Sequence, residues 1–457
     1  MRILEARKAI GALGGEKTDE ANVESSEISR NGEVARSTEQ DALDMQKLGV
    51  RQETKLGWQA AAATGTYLGG LIIQSMVALN NPSYTPTRWQ GTLILYAVLL
   101  VTLFVNTVLV RILPGLEGLI LILHVVGFFA IMIPVVYLAP ISDNAFVWTE
   151  FNNSFSGYHS AGLSWFIGQS ASAILFIGYD GACHMAEEVQ NAAVNVRENI
   201  IKDHLNVADR FLYQVPRAMF FTIFINGAMG FATYIFMLYS FGNPVAALTS
   251  PYGLPFIEIF YNATQSKAGT TAMISLLVAM YIFATFGFVA SASRQAWAFS
   301  RDNGLPLSRL WRRVDSRWAI PTYTIFLTGL INALLGLINI GSSVAFNAIV
   351  SLVVSAYLSS YFIPIALMIR KRLRHEPIRF GPWNLGRWGL PVNCVAAVYT
   401  LVTVVFTFFP PSVPVDAQTM NYSCAVYGGV VVLGLVYYVL RGHKFYVGPS
   451  TEMVVGE

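Results

Sequence analysis

The sequence predicts an all-α polytopic membrane protein, and three observations carry that prediction. First, the 457 residues are 54% hydrophobic and only 12% charged, where a soluble chain of this size carries roughly 25% charged residues. Second, ten apolar segments follow one another, each close to the ~20 residues that a helix needs to cross a bilayer. Third, the basic residues between them alternate in density from loop to loop, as the positive-inside rule requires.

Residues 1–56 are polar, rich in Glu, Ser, Arg and Gly and poor in aromatics. They read as a disordered cytosolic tail without the apolar core of a cleavable signal peptide. The ten segments span approximately 57–79, 91–113, 116–138, 162–189, 217–238, 268–293, 321–340, 344–369, 391–409 and 421–440. The transmembrane domain is expected over 57–440, followed by a cytosolic C-terminal tail over 441–457. Cys183, Cys394 and Cys424 have no ligand spacing and read as small apolar fillers.

Orientation comes from Arg and Lys. Arg111 sits where the second segment gives way to the third, Arg197, Lys202, Arg210 and Arg217 come after the fourth, and a run from Arg294 to Arg317 follows the sixth. Another run, from Arg370 to Arg387, follows the eighth, and Arg441 and Lys444 follow the tenth. The alternate loops hold only Arg88 and Lys267. This asymmetry places both termini in the cytosol. The three N-x-S/T sequons, at Asn152, Asn262 and Asn421, all fall on the opposite side. Tyr84, Trp89, Trp148, Tyr158, Tyr252 and Trp311 lie near segment ends, where aromatic belts form.

The fourth segment, GLSWFIGQSASAILFIGYDGACHMAEEV, carries the candidate site. It places Asp180 at membrane depth, where an acidic side chain costs at least about 2.5 kcal/mol unless paired or hydrated. Gly178 and Gly181 flank it and weaken the helix there. A broken helix is tolerated in a membrane only where it lines a cavity or packs in protein. Gly178, Tyr179, Asp180 and Gly181 are therefore the expected substrate contacts. Tyr179 and Phe176 suit an aromatic wall around an ammonium group. The plainer alternatives are that Asp180 pairs with a neighbouring helix or caps the half-helix, and that both rings only pack.

Further titratable groups flank this segment. His184 and Glu187 are three apart on one helical face, with Glu188 beside them. Two ligands make a weak metal site, so these residues read as an inner-gate ion pair with nearby arginines, and no metal is expected. His124, alone in the apolar third segment, suits proton relay, against a hydrogen-bonded structural role. Asn106 and Asn347 are candidates to tie helices together. The small-residue run in the sixth segment reads as close packing rather than a substrate wall. No GxxxxGK[ST], HExxH or GxSxG motif occurs, so neither ATP-driven transport nor membrane hydrolysis is supported. No enzymatic role, cofactor or nucleic-acid partner is expected.

The succession YDGACHMAEEV, VPRAM (Val215–Met219), FINGAMGF, ASASRQAWAFSRDNGLP, INIGSSVAFNAIVSL, GPWNLGR and PVN resembles the fungal amino-acid/choline permeases. These include γ-aminobutyrate and choline transporters of the amino acid–polyamine–organocation superfamily, and the likeness runs from Leu56 to Val447. It implies an inverted-repeat fold with substrate between unwound helices, and secondary active, proton-coupled uptake at the plasma membrane. The partners it implies are a small amino acid, γ-aminobutyrate or choline, a proton and the lipid bilayer.

Two departures from the family pattern stand out. The family has twelve spans, and the ten here resemble that fold without its first two helices. Residues 196–214, VRENIIKDHLNVADRFLYQ, also interrupt the expected NAAVNVPRAM. This insert reads as a retained intron, because its codons can supply donor, branch and acceptor signals. Alternatively it is a cytosolic helix, since Ile201, Leu205 and Leu212 recur at near-helical spacing. The functional alternative to transport is a truncated, non-transporting or regulatory membrane protein. A channel lacks a filter sequence.

Overall fold

The computed structural model describes residues 50–181, 207–315, 320–341, 345–378, 384–416 and 420–446. Among these, secondary structure is helical throughout, with no strand. A bilayer offers no water to unpaired backbone groups, so apolar stretches of this length close their hydrogen bonds within themselves.

The principal helices are α1 (Val50–Asn80), α2 (Arg88–Thr107), α3 (Leu113–Leu138), α4 (Ala161–Ala173), α5 (Val207–Tyr239), α6 (Pro255–Thr264), α7 (Lys267–Arg301), α8 (Thr322–Gly341), α9 (Ala345–Leu373), α10 (Gly389–Thr407) and α11 (Ser423–Tyr437). Nine apolar stretches on these helices are long enough to cross a membrane. They correspond to every predicted segment except the fourth, and this is an integral membrane protein. Two boundaries differ from expectation. Helix α1 begins at Val50, inside the segment read as tail, because Val50–Lys55 extends the helix past its apolar part. Helix α5 begins at Val207, so the C-terminal end of the insert continues the following span. Residues 1–49 and 196–206 lie outside the described residues.

The fourth segment does not form one long helix. Its helix α4 has 13 residues, about 20 Å at 1.5 Å per residue, against a hydrocarbon core of about 30 Å. Ser160 caps its start by accepting from the Leu163 N–H, which satisfies one of the orphan donors there. A 3-10 turn over Ile174–Phe176 ends it.

Helix α1 is the centre of the assembly. Two thirds of its apolar window (67%) is buried, against 6% for α5 and for the last span. Helices α2, α7, α8 and α9 pack around it, and α5 and α11 turn mostly apolar surface outward, including Phe224 and Leu433. Polar side chains tie these helices where small residues let them approach. Asn106 on α2 donates to the Phe286 carbonyl of α7 (3.2 Å), the tie expected of it. Gln59 on α1 donates to Thr328 Oγ1 on α8 (3.0 Å). The small-residue run of α7, Ala290 to Ser293, is buried, so it packs as its composition implies. The side chain of Asn347 lies outside the described residues. Cys394 and Cys424 are exposed on apolar helices rather than filling the interior.

A candidate substrate site at the break in the fourth span

The chain leaves helical geometry at Ile177, which is extended (φ −87°, ψ 147°), and Gly178 follows at φ +86°. That left-handed conformation costs an L-residue about 1–2 kcal/mol, so the glycine is required by the turn that redirects the backbone. Replacing Gly178 with Ala should lower the melting temperature of the purified protein. Gly168→Ala, inside α4 with open space around it, should be neutral or mildly stabilising. Equal melting temperatures for the two variants would refute this account of the break.

The redirected chain presents Tyr179, Asp180 and Gly181 to three other helices. Tyr361 on α9 donates its hydroxyl to Asp180 Oδ1 at 2.7 Å. The Tyr179 and Tyr361 rings lie 5.4 Å apart, centroid to centroid. One turn earlier on α9, the Tyr357 ring sits 5.9 Å from Tyr361 and 5.5 Å, edge-on, from Trp58 of α1. Trp58 in turn meets Phe288 of α7 edge-on at 6.3 Å. Gly181 runs close beneath the indole, so a Cβ there would stand 3.1 Å from Trp58 Cη2.

The result is one carboxylate inside a wall of four aromatic rings contributed by the broken segment, α1 and α9. Trp58 and Tyr357 are 3% and 1% exposed, so these rings are fixed by packing and are not mobile surface groups. The Tyr357 hydroxyl is buried with no hydrogen-bond partner among the described residues. A buried hydroxyl without a partner is unfavourable by roughly 1–3 kcal/mol, so this one is available to a polar ligand. Chemically, an ionised carboxylate with aromatic faces around it is suited to an ammonium group.

Beside α4 lies a cleft of about 850 Å³, lined by Trp165, Gln169 and Ser172 of α4, Ser351 and Val354 of α9, and Tyr399 and Phe406 of α10, among others. Its described lining includes no Asp, Glu, Lys, Arg or His. Val354 belongs also to an apolar cluster with Ala173 and Leu358, against which Ile174, Ile177, Tyr361 and Val404 pack. Tyr361, which holds Asp180, thus packs against the same cluster as Val354 of the cleft wall.

The remaining expected site residues are placed elsewhere. Phe176 is 42% exposed and rests on Gly227 of α5, so it is not among the rings gathered around Asp180. His124 is carried by α3, which packs on α5, α6 and α7; its Nε2 is buried with no hydrogen-bond partner among the described residues. His184, Glu187 and Glu188 lie outside the described residues. Among the described residues, no cluster of three or more His, Cys, Asp or Glu side chains could hold a metal. Trp58, Tyr357 and Tyr361 were missed at the sequence level. The available signal was the i, i+4 spacing of Tyr357 and Tyr361, which puts both rings on one face of α9.

Comparison with known proteins agrees with this architecture. The chain is 30% identical to a putative amino acid/polyamine transporter of Macrophomina phaseolina, over 81% of this chain and 78% of that protein. It is 30% identical to a choline transporter of Saccharomyces cerevisiae, over 81% of this chain and 62% of the transporter. It is 27% identical to the amino-acid permease BAT1 of Arabidopsis thaliana, over 87% and 76% respectively. The profile of the amino acid permease family matches residues 56–431, so the chain belongs to the amino acid permease family and is a transporter rather than an enzyme.

Proposed function

We propose that this protein is a secondary active transporter of amino acids or related amines such as γ-aminobutyrate or choline. We place it in the plasma membrane with both termini cytosolic, and we take a proton as its coupling ion. The observation that carries this reading is the Asp180 carboxylate at the break of an intramembrane segment, held by Tyr361 and walled by Tyr179, Tyr357 and Trp58. An acidic group at that depth is expensive to maintain without a function. A broken helix supplies free backbone groups for the other end of a zwitterion.

In this reading, the substrate enters through the cleft beside α4. The cluster around Ala173, Ile177, Val354 and Leu358 then parts, and the ammonium group reaches Asp180. Closure behind the substrate and opening on the cytosolic side complete alternating access. Asp180 is the better placed proton acceptor because it meets the substrate. His124, on α3, would act at a distance through α7. The names of the relatives favour amines: one is called a choline transporter and another an amino acid/polyamine transporter.

The test is uptake of radiolabelled choline and γ-aminobutyrate by cells that lack their own carriers and express this chain. Saturable uptake that a protonophore abolishes is expected for at least one of them. Properly folded protein at the cell surface with no saturable uptake of either, or of a panel of amino acids, would defeat the transport reading. Saturable uptake that a protonophore leaves intact would remove only the coupling ion.

A further inference from the structure

We propose that Asn152 carries an N-linked oligosaccharide and that the sequons at Asn262 and Asn421 do not. All three have the acceptor pattern, so local structure must discriminate between them. The inference rests on the orientation proposed above, which puts the stretch 139–160 outside the cytosol.

Asn152 is exposed, and its Oδ1 accepts from the Ser154 hydroxyl at 2.6 Å and from the Ser154 N–H at 3.0 Å. The sequon is thus folded into a tight turn that brings the hydroxyl of the third residue onto the amide of the first. Among the described residues the Asn152 Nδ2 donates to nothing. This turn is made by residues two apart, so the chain adopts it as it enters the lumen, before any helix has packed.

The other two sequons are held in geometries that oppose transfer. Asn262 lies inside α6, where residues two apart point to different sides of the helix. The Thr264 hydroxyl is turned away to donate to the Phe260 carbonyl at 2.9 Å. Asn421 is 4% exposed. Its Nδ2 donates to the Thr407 and Phe409 carbonyls at 2.8 and 3.1 Å, closing the end of α10. Its Oδ1 accepts from the Ser423 N–H at 3.1 Å, where α11 begins. A glycan on that nitrogen would have to displace these bonds and the one to Ser351 Oγ at 3.4 Å.

The modification is a group transfer from a polyprenyl-pyrophosphate-linked oligosaccharide. The Asn152 Nδ2 attacks C1 of the first sugar, so an N–C bond forms. The C1–O bond to the pyrophosphate breaks, polyprenyl pyrophosphate leaves, and one amide proton passes to a base of the transferase. No oxidant or reductant is involved. The consequence is a hydrophilic group at the rim of the cleft beside α4, whose lining includes Asn152.

The experiment uses the full chain in a eukaryotic host, with membranes treated with an endoglycosidase and read by immunoblot. The unaltered chain should shift by one step. Asn152→Gln and Ser154→Ala should each run at the deglycosylated position before treatment and show no shift after it. Asn262→Gln should behave as the unaltered chain does. A residual shift in Asn152→Gln overturns the assignment. To separate the site from the orientation, a flexible segment bearing a fresh sequon is inserted between Ser142 and Asp143 of Asn152→Gln. If the insert is modified while the unaltered chain is not, the Asn152 proposal falls and the orientation stands. If neither is modified, both fall.

Discussion

Asp180→Asn is expected to reduce substrate uptake at least a hundredfold while leaving the amount of folded protein at the membrane unchanged. The substitution keeps the size and one hydrogen-bond acceptor, so the Tyr361 hydroxyl at 2.7 Å retains a partner. It removes the negative charge. If an ammonium group sits against that carboxylate inside the ring of Tyr179, Tyr357, Tyr361 and Trp58, the pair is largely desolvated. Breaking such a pair from one side loses about 3–5 kcal/mol, which is more than a hundredfold in affinity. Tyr361→Phe is the graded partner. It leaves the charge and the ring and removes one hydrogen bond to a charged acceptor, worth roughly 1.5–3 kcal/mol, so uptake should fall less than in Asp180→Asn. The two variants should differ most with a permanently cationic substrate, which has no proton to share with the asparagine. Uptake by Asp180→Asn at the unaltered rate would remove Asp180 from the mechanism and leave it as a structural partner of α9.

The spans were legible because hydropathy acts locally: each segment is apolar over its own ~20 residues whatever it packs against. The break was legible for a related reason. An aspartate between two glycines is a local contradiction inside an apolar run, and such contradictions are resolved by structure around them. What it could not reveal was how early the helix gives way. The sequence suggests unwinding at Gly178–Gly181, whereas helix α4 ends at Ala173 and its 3-10 extension at Phe176. The aromatic partners were illegible because they are remote. Tyr361 lies 181 residues from Asp180, and Trp58 lies well over a hundred residues away on the other side of the chain. Ring identity alone does not separate them from the many aromatics exposed on the outer helix surfaces, such as Phe224 or Phe231. Phe176 illustrates the converse. It sits four residues from Asp180, yet the end of the helix sends it toward Gly227.

Gly70→Leu is expected to abolish recovery of monodisperse protein, and Gly118→Leu is expected to be silent. The two positions share residue type, substitution and a helical backbone in an apolar span, so they differ only in what surrounds them. Gly70 is on α1, the most buried helix of the assembly. A Cβ added there would stand 3.0 Å from the Leu95 backbone nitrogen and 3.2 Å from its Cα. Backbone cannot rotate aside as a side-chain tip can, so α2 would have to move away as a unit. Since α2 also packs on α7 and α8, that displacement opens two further interfaces. Close approach of this kind is what holds membrane helices together, because lipid gives them no hydrophobic incentive to associate. A Cβ alone should lower stability by about 1–3 kcal/mol through overpacking, so Gly70→Ala should fold with a reduced melting temperature. The three further carbons of leucine have no volume to occupy between the two backbones. At Gly118 on α3 a Cβ meets nothing within 4 Å, and the side chain points into open space that lipid fills. Leucine there adds apolar surface in an apolar solvent and raises helix propensity. The measurement is size-exclusion chromatography of detergent extracts followed by thermal unfolding. A Gly70→Leu protein that elutes as a sharp peak and melts with the unaltered chain would show that α1 and α2 are not packed backbone to backbone, and the scaffold that holds Trp58 beside Asp180 would need to be redrawn.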